Sequence, residues 1–176
     1  MKPKITPRDK EIKLGADEFI VSKTDTKGKI TYANRVFMQI AGYPEDQLLG
    51  IQHNIIRHPD MPRGVFKYIW DELKQGHEVF GYVKNLTSDG SYYWVFANIT
   101  CDYNDSGELV GYYSVRRRPS QKAIDTIVPV YKKMLEIERA SRTSEACEKS
   151  LAYLVSVLEE LGLGYEELIL SLDEGE

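Results

Sequence analysis

Runs of β-favouring residues flank a turn at Asp25–Gly28 in "FIVSKTDTKGKITYAN", and this pattern predicts a hairpin. The stretches "RVFMQIAGY" and "PEDQLLG" read as two short helical turns, the first stopped by Gly42 and the second started by Pro44. Farther on, Phe66, Ile69, Trp70 and Leu73 fall at i, i+3, i+4 and i+7, with Gly76 as the stop. This spacing predicts a longer helix whose apolar stripe lies on a sheet. Three aromatic-rich runs follow in "EVFGYVKNLTSDGSYYWVFANITCDYNDSGELVGYYSVRRR", joined by turns at Ser88-Asp89-Gly90 and Asp105-Ser106-Gly107. Two strands, short helices, one longer helix and three antiparallel strands make an α+β domain.

From Ser120 the periodicity becomes helical. Ile124, Val128, Tyr131 and Leu135 form one stripe; Leu151, Leu154, Val155, Leu158 and Leu161 form another, with a break near Ser141–Thr143. These stripes are expected to pack on the sheet or against a second copy of the chain. The final "SLDEGE" reads as a frayed acidic tail. The expected organisation is a polar lead over residues 1–16, the α+β domain over 17–119 and a helical extension over 120–176.

A chain of 176 residues has room for one substantial core and an appendage. Its net charge of -4 offers no global attraction to nucleic acid or anionic lipid, and Arg116, Arg117 and Arg118 are the one obvious basic cluster. Cys101 and Cys147 show no metal-ligand spacing and no disulfide framework, which suits a reducing cytoplasm. The start lacks the apolar run of a signal peptide, and no stretch approaches the roughly 20 apolar residues of a membrane span. No direct membrane insertion is expected, so any membrane association would run through a partner. There is no GxGxxG, no GxxxxGK[ST], and no convergent acid/base pair or nucleophile, so an enzyme is not expected.

Candidate chemistry concentrates in "HNIIRHPDMP". Pro59 and Pro62 stiffen the segment, and Asp60 is placed to cap the helix that follows. Alternatively, a helix N-terminus beside Arg57 and His58 makes an anion cradle, since N–H groups and cations converge there. By residue type alone, both readings stand.

The order of elements resembles a PAS domain. "GYPEDQLLG", "HNIIRHPDMP", "VKNLTSDGSYYWVFANIT" and "GYYSVRRRPS" together resemble the PAS domain of bacterial aerotaxis (energy-taxis) receptors, over about Asp17–Ser120. The resemblance implies the PAS fold: a five-stranded antiparallel sheet with short helices on one face. It implies non-covalent FAD and redox sensing. It assigns cofactor contacts to Arg57, His58, Asp60, Asn34, Trp70, Asn85 and Arg116, with Asn85 against the flavin ring edge and Arg116 near the flavin N5. Trp70 suits core packing equally, and Asn34 suits a helix cap. No cysteine stands where light-sensing flavin PAS domains carry their reactive thiol, so adduct photochemistry is not expected. Without the membrane segment of one-chain aerotaxis receptors, the chain resembles the soluble PAS half of a split energy-taxis pair, whose partner is a membrane-bound chemoreceptor-like protein. Homodimerisation stays open. So do FMN in place of FAD, haem on His53, His58 or His77, a cofactor-free docking module and a small flavoenzyme.

Overall fold

The computed structural model describes residues 4–173. Its centre is one antiparallel sheet of five strands: β1 (Ile20–Asp25), β2 (Ile30–Ala33), β3 (Val79–Leu86), β4 (Tyr92–Tyr103) and β5 (Leu109–Arg117). The strands lie side by side in the order β2-β1-β5-β4-β3, so the first hairpin joins the last strand and β3 forms an edge. Between β2 and β3 come α1 (Arg35–Ala41), α2 (Glu45–Leu48), a 3-10 turn (His53–Ile56) and α3 (Arg63–Lys74). Local chemistry accounts for their limits. Asn34 caps α1 by accepting from the Phe37 N–H at 3.0 Å, and Gly42 ends it in a left-handed turn at φ 72°.

The helical extension comprises α4 (Gln121–Ala140), α5 (Thr143–Leu161) and α6 (Tyr165–Asp173). Ser120 caps α4 by accepting from the Ala123 N–H. Helix α5 packs on both α4 and α3, while α6 lies against β3. The extension shares the core of the sheet domain: Ile127, Tyr131, Met134, Leu154 and Ile169 are buried in the same hydrophobic cluster as Phe37, Tyr82 and Val95. Tyr131 donates to the Tyr82 carbonyl at 2.7 Å, and the Tyr82 hydroxyl donates to the Ile169 carbonyl at 3.0 Å. Strand edges left open invite pairing with other chains, and here the extension covers this one.

Four expectations change. The α4 stripe turns toward Ala123, Ile124, Ile127, Tyr131, Met134 and Glu138, leaving Val128 exposed, because α4 must face α5 and α6 together. The α5 stripe narrows to Ala146, Ser150, Leu154 and Leu158, with Val155 and Leu161 exposed. Residues Ser171–Asp173 are not frayed: they complete α6, where Asp173 pairs with Arg117; Glu174–Glu176 lie outside the described residues. The arginine triplet forms no basic patch, because alternate strand residues face opposite ways. Arg116 is buried inside, Arg117 stacks on Phe96 from the other face, and Arg118 is exposed beyond the strand.

The polar lead is also tied down. Ile12 N–H donates to the Tyr92 carbonyl and Tyr92 N–H to the Lys10 carbonyl, while Leu14 enters the core. Because the extension and sheet share one core, Leu154→Ala should cost about 2–5 kcal/mol. Urea unfolding followed by helical circular dichroism and by tryptophan fluorescence should shift together; separate transitions would show that the extension unfolds alone.

Candidate functional site: an arginine-lined cavity beneath the sheet

The inward face of the sheet departs from apolar packing. Residues alternate across a strand, so Ile20, Ser22 and Thr24 of β1 share a face, as do Tyr112, Ser114 and Arg116 of β5. The register sets Ser22 opposite Ser114 and Arg116 between Ile20 and Ala97. Ser22, Thr24, Tyr112, Ser114 and Arg116, with Val83 and Asn85 of β3, floor a cavity of about 230 Å³, roofed by Ile56, Arg57 and the Phe66, Ile69, Trp70 and Leu73 face of α3. Its walls are mainly apolar, and no carboxylate lines it among the described residues.

Arg116 is the dominant charge. It is only 3% exposed; its Nη2 donates to the Ser22 hydroxyl, and its guanidinium lies 4.6 Å from the centre of the Phe37 ring. Its Nε and Nη1 have no hydrogen-bond partner among the described residues. Burial lowers its pKa to about 10, still leaving it cationic at neutral pH. Buried donors without acceptors are costly, and an acceptor-rich ligand in the cavity would relieve them.

His53 stands beside it, with Nε2 3.3 Å from the Ser22 hydroxyl. Burial, then the Arg116 charge, depress its pKa to about 3, so the imidazole is neutral. Ser22 accepts from Arg116, so its own proton is directed to His53 Nε2.

The stiff loop reaches the site through its backbone: an antiparallel bridge joins Arg57 to Asn85 on the edge strand. The Arg57 guanidinium packs 3.9 Å from the centre of the Phe66 ring, at the cavity wall. His58 is buried off the cavity, where its Nδ1 accepts from the Asp60 N–H at 3.0 Å and its ring meets Tyr92 edge-on. Asp60 is not the cap of α3. Its carboxylate pairs with Lys84 at 2.9 Å, and the residue at the cap position is Pro62, which has no side-chain donor or acceptor. Nor is the α3 N-terminus an open anion cradle. Glu138 of α4 fills it, accepting from the Gly64 N–H at 2.9 Å.

The seven candidate residues therefore separate. Arg57, Trp70, Asn85 and Arg116 meet at the cavity, with Trp70 37% exposed at its wall and edge-on to Tyr112. His58 and Asp60 shape the loop behind it. Asn34 lies elsewhere: its side chain accepts from the Val21 and Phe37 N–H groups and donates to the Phe19 carbonyl. Of the histidines, only His53 lines the cavity, and His77 pairs with Glu72 at the surface. Ser22, Ser114 and Tyr112 were not singled out from sequence, although polar residues on the inward register of otherwise apolar strands are the signal that marks them.

Residues 30–116 match the family model described as PAS fold. Over these residues the chain has the PAS fold. The chain is 39% identical over 138 residues to the aerotaxis receptor of Escherichia coli K12, covering 78% of this chain and 26% of the receptor. It is 34% identical over 97 residues to the nitrogen fixation regulatory protein of Klebsiella pneumoniae, covering 55% of this chain and 20% of that one. The chain thus spans about a quarter or less of these relatives. Among solved structures, the dark state of the blue-light photoreceptor Aureochrome1 LOV superposes with a TM-score of 0.54 at 26% identity, covering 63% of this chain and 81% of that one. A light-oxygen-voltage domain studied with a flavin analogue has the same fold, at TM-score 0.55, 21% identity and coverage of 63% and 83%.

The depressed His53 pKa has a measurable consequence. The unfolded chain protonates His53 below about 6.5 and the folded chain only near 3, so unfolding takes up a proton between them. His53 therefore leaves stability intact above pH 6.5 and erodes it as pH falls toward 3, by up to about 1.4 kcal/mol per unit. Urea titrations of His53→Gln should show a shallower fall over this interval; equal slopes would mean that the wild-type imidazole protonates in the folded state.

Proposed function

We propose that this chain is an FAD-binding redox sensor of the energy-taxis type, acting in the cytoplasm through contact with a membrane-bound chemoreceptor-like partner, and not an enzyme. The observation that carries this reading is Arg116, a buried cation with two unpartnered donors in a carboxylate-free, mainly apolar cavity. The similarity to an aerotaxis receptor, which extends beyond the domain into the helices that follow, supports the same reading. No helix among the described residues is long and apolar enough to cross a membrane.

The residues fit a flat ring with acceptors along one edge. The cavity, at about 230 Å³, is below the roughly 300–1,000 Å³ of most small-molecule sites, and it suits a ring system whose remaining groups extend outside. Arg116 and Asn85 would hold the polar edge; Ile56, Ile69, Leu73 and Val83 would exclude water from the faces. Arg57, held against Phe66, would meet the anionic portion at the wall. When bound, FAD supplies reversible electron transfer at its ring. Arg116 is the chain's own sensor of charge there, since its Nε and Nη1 are uncommitted while Nη2 holds Ser22. A change in what it donates to would strain β5, which runs through Pro119 into α4 and so toward a docking partner.

The first test is chemical. Protein purified in the dark should be yellow and release FAD on heating, identified by chromatography against FMN and haem standards. Arg57→Ala should weaken retention of the dinucleotide, and Arg116→Ala should retain flavin but lose redox-dependent change in partner binding. A colourless protein that refuses added FAD would overturn this function; a bound flavin identified as FMN would overturn the FAD assignment alone.

A further inference from the structure

Glu138 is an uncommon residue to find buried on a helix that extends a sensor domain. Its side chain is 7% exposed and accepts from the Gly64 N–H at 2.9 Å and the Ser150 hydroxyl at 2.7 Å, and it pairs electrostatically with Arg63 Nε at 3.5 Å. Pro62 offers α3 no side-chain cap, so a carboxylate from α4 completes that helix's first turn and meets its positive dipole end. The approach is close. A Cβ on Gly64 would lie 2.3 Å from the Ser150 hydroxyl and 3.0 Å from the Leu151 nitrogen, so α5 packs on bare backbone there.

The same short stretch faces the cavity. Phe66, one turn from Glu138's contact, carries the Arg57 guanidinium, and the next turns supply Ile69, Trp70 and Leu73. The Glu138 charge acts on Arg57 in turn, opposing the lowering of its pKa by burial. One rigid helix therefore presents one face to the cavity and its N-terminal turn to the extension.

We propose that Glu138 is a latch and positioning residue: by completing the first turn of α3 it docks the α4–α5 hairpin, and the docked hairpin sets the cavity wall that Phe66 and Arg57 form. The contact is suited to opening. Once undocked, Glu138, Arg63, Ser150 and the Gly64 N–H are all met by water, whereas a partly broken latch would leave buried groups unpaired. The latch thus gives the hairpin a docked and an undocked position, the second opening the part of the core that holds Leu154 and Met134. Coupling of this kind is reciprocal: a ligand that favours the docked wall tightens the hairpin, and the undocked state binds that ligand more weakly by the same factor.

The latch itself does not depend on which ligand fills the cavity; its coupling to flavin rests on the function proposed above. Hydrogen–deuterium exchange of the full chain without added ligand should show α5 amides exchanging roughly tenfold faster in Glu138→Ala than in wild type, with β4 amides unchanged. Gly64→Ala keeps the carboxylate and favours helix, yet its methyl group meets Ser150, so it should loosen α5 in the same way. Glu138→Gln, which retains an acceptor, should fall between. Unchanged α5 exchange in both Ala variants overturns the latch. With FAD as the probe, bound ligand should slow α5 exchange in wild type and in the variants alike, and the variants should bind it more weakly only as far as their undocked fraction grows. Ligand-saturated protein whose α5 exchanges as fast as ligand-free protein overturns the coupling. Wild type that takes up no FAD refutes the flavin reading, while the ligand-free exchange still decides the latch.

Discussion

Arg116 carries its charge on the inward face of the sheet, where the Ser22 hydroxyl and the ring of Phe37 meet it and no carboxylate answers it. Removing a guanidinium from water without a counter-ion costs several kcal/mol, so the surrounding structure must hold it there. That holding explains the neighbourhood. His53 is kept neutral beside the cation, the Ser22 proton is directed away from it, and the adjoining walls are apolar. A fold that accepted this burial for packing alone would gain nothing from leaving Nε and Nη1 without acceptors.

The segment between the 3-10 turn and α3 is where the loop, the sheet edge and the extension meet. Its backbone bridges to Asn85, its arginine stacks on Phe66, and its acid pairs with Lys84 across the edge strand. Beyond it, the first turn of α3 is completed by a residue 74 positions away in sequence. The cavity wall and the docked hairpin are therefore two sides of one rigid element. This offers a route from ligand to surface through the helices, separate from the route through β5 into α4.

Much of the fold was legible from the chain. Turns marked by Gly28, Gly42, Gly90 and Gly107 all adopt positive φ, which local sequence signals because few residues other than glycine do so cheaply. The helix starts at Asn34 and Ser120 were equally local. The RHPDMP string marked the right region but assigned two of its side chains differently: Asp60 found Lys84 instead of a helix end, and His58 turned back onto its own loop. Each choice depended on β3 lying alongside, which no local pattern encodes.

Most element types followed from the sequence itself, because periodicity, capping and turn chemistry act over a few residues, while the 3-10 turn at His53–Ile56 and helix α6 were not read from it. The resemblance carried by its ordered motifs added the domain type. Tertiary structure alone decided which inward positions would be polar and share one cavity, since that depends on strand order and on the register that sets Ser22 near Arg116. It also decided the rotation of the α4 stripe and the burial of Glu138. A helix facing two neighbours at once takes its orientation from both, and a buried carboxylate is tolerable only where donors from distant segments converge.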